Sequence, residues 1–127
     1  MLYQFRKHYS RDEARSLLPQ IRQWLEQLAH LRQHIAKLEK RLANSFQQGH
    51  DVGGASANEW IRHVAEFKKL LAEFRNREIQ VKDLDRGLID FPAIIGGREV
   101  FLCWELDEED IEFWHELDAG YAGRERL

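Results

Sequence analysis

The sequence predicts an α+β fold: a long antiparallel helical hairpin, coiled-coil-like, with a small antiparallel β-sheet formed mainly by the C-terminal third. Three observations carry this. Apolar residues recur at heptad spacing through the first two thirds of the chain. A glycine-rich break divides that pattern in two. After residue 86 the spacing changes to short apolar runs bounded by turn signals. With 127 residues, 43% hydrophobic and 32% charged, the chain reads as a single domain over 1–127.

Each element has its own signal. Aromatic and polar residues alternate at the ends of "YQFRKHY", which predicts a strand over 1–9. "SRDE" has capping-box spacing, with Ser10 capping and Glu13 reaching back, and opens a helix over 10–46. Pro19 falls inside it and predicts either separate first turns or a kink. Beyond the proline, Ile21, Leu28, Ile35 and Leu42 recur every seven residues, with Trp24, Leu31 and Leu38 as the second seam. "QQGHDVGGASAN" interrupts the pattern as a flexible loop. A second capping box, "SANE", opens a helix over 56–82, where Trp60, Val64, Phe67, Leu71, Phe74 and Val81 repeat the spacing. Helices with matching seams fold back as a hairpin. Leu31, Leu38, Phe67 and Phe74 are its expected interface residues, facing a second copy or another protein.

Residues 87–118 predict β-hairpins, and 119–127 a tail. "LIDFPAI" and "REVFLCWEL" flank Gly96-Gly97, a tight-turn signature that sets Ile95 opposite Arg98 and Asp90 opposite Cys103. Pro92 marks the first of these strands as an edge or bulged strand. The like charges of "DEED" predict a solvated loop over 107–110, which pairs Trp104 with Phe113 and Leu102 with His115. In that register one face reads Val100, Leu102, Trp104, Leu106, Ile111, Phe113, His115 and Leu117, apolar but for the histidine, and should pack on the helices. Cys103 and His115 then point to opposite faces; a one-residue slip would unite them but turn the apolar set outward. A helix over 108–118 is the alternative to this strand.

The net charge of −3 argues against a dedicated nucleic-acid binder. Its distribution is uneven: 16 basic against 11 acidic residues over 1–86, and 3 against 11 over 87–127. The lone cysteine excludes an internal disulfide and any cysteine-rich metal motif. The charged N-terminus is unlike a signal peptide, and no apolar run reaches membrane-spanning length, so neither a membrane nor export is expected and the location is cytoplasmic.

No phosphate loop, dinucleotide fingerprint, nucleophile elbow or paired-histidine protease motif is present. What remain are constellations. Asp90, Cys103 and His115 are candidate ligands for a divalent metal. His115 with Glu116 or Asp118 is a candidate acid/base pair, and a site of either kind would lie near Asp85, Asp90, Cys103, His115 and Glu116. A carboxylate beside Cys103 would raise the thiol pKa, the wrong direction for an activated nucleophile. His30 and His34 are one helical turn apart without an evident third ligand. Arg86, Arg98 and Arg124 lie beside turns in an acid-rich half and should clamp carboxylates.

"HYSRDEARSLLPQI", "KDLDRGLIDFPA", "GREVFLCWEL" and "FWHELDAGYAGRERL" resemble the small prokaryotic family known as domain of unknown function 2203. The likeness runs through both ends and the second half; the hairpin and its glycine loop match only in general character. "ELDEED" departs from it, standing where the family leads one to expect a glycine-containing turn. The resemblance implies a bacterial cytosolic protein and carries across no activity, substrate, cofactor or functional residue.

Three functions follow as expectations. The first is a non-enzymatic module for self-association or protein interaction through the hairpin. The second is a metal-dependent or acid/base enzyme with its site around His115. The third is a regulator that binds a small molecule under the sheet.

Overall fold

Helix α1 runs Arg11–Gln47 in the computed structural model, which describes residues 2–49 and 54–127. Its start is the expected capping box: Ser10 Oγ accepts from the Glu13 amide at 3.1 Å, and Glu13 Oε1 accepts from the Ser10 amide at 3.1 Å. Two of the donors that a helix start leaves unpaired are thereby satisfied. Pro19 lies within α1, which remains one element rather than separate turns. The proline is exposed, while Ala14, Leu18 and Ile21 are buried on either side of it. Burial of that stripe outweighs one lost backbone hydrogen bond.

The chain forms two compact units, Met1–Gln23 with Glu73–Leu127, and Trp24–Ala72. In the second, α1 pairs with α2 (Ala55–Asn76). Glu39 accepts from Trp60 Nε1 at 3.2 Å, and the His34 and His63 rings lie 5.6 Å apart. Rising numbers on one helix meet falling numbers on the other, so the pair is antiparallel as predicted. Ser56 already lies inside the first turn of α2, so "SANE" does not cap it. Part of the predicted loop, residues 50–53, lies outside the described residues.

Helix α2 ends at Asn76, not at 82. Glu78 adopts φ 58°, and the Ile79 amide turns back to the Phe74 carbonyl at 3.0 Å, which closes the helix with a left-handed residue. Val81, expected in the helical seam, instead lies in strand β1 (Gln80–Asp83).

The other unit holds an antiparallel five-stranded sheet, ordered β1-β2-β3-β4-β5, with β2 Leu88–Ile95, β3 Arg98–Trp104, β4 Phe113–Glu116 and β5 Glu125–Arg126. The β2–β3 register is the one Gly96-Gly97 predicts, with Ile95 opposite Arg98 and Asp90 opposite Cys103. Both glycines have positive φ, 58° and 77°, as a two-residue hairpin turn of this hand requires. Pro92 lies in a strand with neighbours on both sides, but the segment beyond β1 is partnered differently: the Tyr9 amide donates to the Pro92 carbonyl at 2.7 Å. Residues 2–9 are otherwise irregular and form no strand.

Candidate functional site

The β3–β4 connection is longer than "DEED", and this decides the site. Strand β3 ends at Trp104 and β4 begins only at Phe113. In the segment between them, the Trp104 indole donates to the Glu108 carbonyl at 2.9 Å and the Glu108 amide donates to the Glu105 carbonyl at 2.8 Å. Arg22 clamps the same segment through the carbonyls of Leu106 and Glu108 at 3.0 and 2.8 Å. Ile111 is fully buried in the connection rather than paired in a strand.

The register therefore shifts from the predicted one. Leu102 faces Trp114, Phe101 faces His115, and Cys103 faces Phe113. Residues directly opposite share a face of a sheet. Asp90, Cys103, Phe101 and His115 are thus brought together, and the expected separation of Cys103 from His115 is corrected. The slip exposes no apolar layer because β3 is buried on both sides: Val100, Phe101, Leu102, Cys103 and Trp104 are all buried. Arg22 stacks over the Trp104 ring at 5.0 Å on one face, and Phe5 packs on Phe101 at 5.4 Å on the other.

On that second face the carboxylate, thiol and imidazole donor atoms of Asp90, Cys103 and His115 all lie within 4.8 Å of one another. The three residues are no more than 2% exposed. His115 Nδ1 is 2.7 Å from the Glu116 carbonyl, which can only accept, so Nδ1 carries a proton. His115 Nε2 is 2.9 Å from Asp90 Oδ2. A single proton is left for that contact, either on the ring facing a carboxylate or on the carboxyl facing a neutral ring. Asp90 Oδ1 has no hydrogen-bond partner among the described residues. A buried carboxylate oxygen left in this way is uncommon and costly.

Burial is the main reason the Asp90 carboxyl is pushed above its usual range, against the opposing pull of His115, Cys103 and Lys82. The Cys103 thiol is pushed up to about 12, chiefly by burial and then by the Asp90 charge, with Arg124 acting in the other direction. The thiol is therefore inert as a nucleophile unless something replaces its proton. A metal ion does this, and carboxylate, imidazole and thiolate are all zinc ligands, at about 2.0–2.3 Å. An Nδ1–H held by a backbone carbonyl also presents the Nε2 lone pair to an ion, the usual arrangement of a ligating histidine.

The other predicted site residues are not drawn in. Glu116 contributes only its carbonyl; its side chain pairs with Arg98 at the surface. The expected His115–Glu116 acid/base pair does not form, because adjacent strand residues point to opposite faces. Asp85 and Asp118 are exposed. His30 and His34 are both exposed, and His34 packs against His63 across the hairpin. Of the expected interface residues, Leu38 and Phe74 are buried within the fold, at 4% and 1% exposure, whereas Leu31 and Phe67 are half-buried. The three arginines do clamp carboxylates: Arg86 pairs with Glu105 at 2.8 Å, Arg98 with Glu116, and Arg124 with Glu108 at 3.0 Å.

Around the triad lie ring contacts that the expected carboxylate clamping by Arg86 and Arg124 does not predict. Phe101 packs on the His115 ring at 5.5 Å, and the Lys82 ammonium lies over Phe101 at 5.2 Å. From the tail, Arg124 sits between two rings, 3.9 Å from Phe113 and 4.2 Å from Tyr121. Arg86 covers Tyr121 at 4.3 Å. The sequence signal for this ladder is slight: one tyrosine, Tyr121, beside Arg124 and Arg126 in "GYAGRERL".

A family model described as "Uncharacterized conserved protein (DUF2203)" matches residues 7–127, and the chain belongs to that family. No curated protein and no solved structure gives a significant match.

Proposed function

We propose that this DUF2203 protein binds one divalent transition-metal ion of the zinc class through Asp90, Cys103 and His115. The observation that carries the reading is the unpartnered Oδ1 of Asp90, in a side chain 2% exposed, within the cluster that also holds a thiol and an imidazole. An oxygen-only ion such as Mg²⁺ would not use the sulfur; a borderline ion uses all three donors. The ion is structural, because its donors are sealed from solvent and come from three adjacent strands, β2, β3 and β4. Acid/base catalysis is disfavoured for the same reason. Both nitrogens of the buried ring are engaged inside the protein, and neither can reach a substrate. A free thiol that serves as a ligand suits a reducing cytoplasm.

The test is native mass spectrometry with elemental analysis of protein purified without chelators. One bound ion per chain is expected, lost in Cys103→Ala and His115→Ala. Protein that carries no ion and takes none up from Zn²⁺ or Co²⁺ would remove the reading.

A second reading concerns the helical hairpin, as a module for association with a second copy of this chain. It rests on the apolar stripe that the two helices leave incompletely covered: Leu31, Ile35, Leu42, Trp60, Val64 and Phe67 are all half-buried. A two-helix layer alone cannot cover a stripe of this width.

A further inference from the structure

We infer that Arg124 is a positioning residue for the thiolate ligand, donating a hydrogen bond to Cys103 Sγ when the ion is bound. The inference rests on the metal reading above and assigns the C-terminal tail a part in it.

The guanidinium is held where it can do little else. Nη1 meets both carboxylate oxygens of Glu108, at 3.0 and 3.1 Å, and the Tyr121 hydroxyl lies 3.3 Å from Nη2. Phe113 and Tyr121 stack on it at 3.9 and 4.2 Å. Phe113 is the residue directly opposite Cys103 in the β3–β4 ladder, so an arginine stacked on that ring lies over the face of the sheet that carries the sulfur, and Arg124 draws the thiol pKa down against the effect of burial. The side chain of Arg124 is only 12% exposed, and Glu108 is 17% exposed. A planar cation pre-organised by stacking and by a carboxylate suits donation to an anionic acceptor.

The tail itself is anchored independently of the triad. The Arg124 amide donates to the Tyr121 carbonyl at 3.1 Å, and the Leu127 amide donates to the Glu112 carbonyl at 2.9 Å. Strand β5 adds the pairs Phe113 with Arg126 and Trp114 with Glu125. The backbone on both sides of Arg124 is thus fixed, and its side chain lies against Phe113 of β4. Asp90 and His115 supply the other two donor atoms, and all three lie within 4.8 Å of one another. Arg124 supplies a hydrogen-bond donor to the sulfur, which orients a thiolate lone pair toward the ion. Outer-sphere donors of this kind typically alter metal affinity by about 10–100-fold.

Co²⁺ added to the metal-stripped protein under reducing conditions is the probe, because a cobalt–thiolate bond has its own near-ultraviolet charge-transfer band. Removing a hydrogen bond from the thiolate raises the energy of its sulfur electrons and moves that band to lower energy. The expected order of band energy is wild type, then Arg124→Lys, then Arg124→Gln, with Co²⁺ affinity falling about 10–100-fold in Arg124→Gln. A role limited to packing the tail would weaken binding and leave the band in place, and that result would overturn the inference. Arg124→Lys retains the charge paired with Glu108 and serves where Arg124→Gln does not fold; a band there at the wild-type position also overturns it. Wild-type protein with no band at all removes the metal site and this inference together.

Discussion

His115 and Asp90 form a buried pair, Nε2 to Oδ2 at 2.9 Å, with each side chain 2% exposed. The other ring nitrogen is committed to the Glu116 carbonyl, so the pair shares one proton in the metal-free protein. Breaking such a pair from one side strands a polar group in the interior. Asp90→Leu or His115→Leu alone should each cost about 3–5 kcal/mol of stability in metal-free protein. The double variant Asp90→Leu/His115→Leu should cost less than the sum, since it leaves no stranded partner. Urea unfolding of the four proteins in chelator gives the coupling. Additive losses would show that the two side chains do not depend on each other.

On the proposed metal site, removal of the ion should lower stability without changing the fold. A ligand that binds only the native state at a thousand times its Kd contributes about 4 kcal/mol. Chelator should therefore lower the Tm of wild-type protein and leave that of Cys103→Ala where it was. Equal shifts in both would place the chelator effect elsewhere.

The Cys103 thiol, 1% exposed and pushed up to about 12, should resist alkylation in the folded, metal-free protein at pH 8. Iodoacetamide labelling should proceed at the rate of unfolding and accelerate with urea. Stoichiometric labelling within minutes in native buffer would contradict the buried site.

Glu99 accepts from the Gln4 and Phe5 amides at 2.8 and 3.0 Å and meets His8 Nε2 at 2.7 Å. Burial alone would raise its carboxyl, but these donors outweigh burial and hold it below the usual glutamate range. The sign follows from linkage. With the folded pKa depressed, the contribution is present above the unfolded value, about 4.3, and is lost as pH falls through the lower folded value. An NMR titration should show the Gln4 and Phe5 amides moving together below the ordinary glutamate range, and not at all in Glu99→Gln. A midpoint at or above that range would rule out the clasp.

For the helical hairpin, association with a second copy predicts a dimer or larger species by light scattering. Leu31→Glu or Phe67→Glu, each at a half-buried position, should convert it to monomer without loss of helix content. Wild-type protein that is monomeric at high concentration would dispose of the idea.

Much of the architecture was legible because it is encoded locally. Ser10 and Glu13 start α1 through neighbours three residues apart. Gly96 and Gly97 set the β2–β3 register through their ready access to positive φ, and with it the Asp90–Cys103 pairing. The helical seams are periodic, and periodicity survives without knowledge of the partner.

What only the tertiary structure decided is the union of Cys103 with His115. Local patterning sets them on opposite faces only if one face of β3 meets solvent and the charged run alone is the loop. In the folded protein the Trp104 indole, Glu108 and Arg22 hold a longer connection, and Ile111 is buried outside any strand. Phe5 from one end of the chain and Arg124 from the other cover the second face. Alternation of apolar and polar residues marks a strand with one wet face; a strand buried on both has no such mark. Its register is therefore set by long-range packing, which no local pattern records.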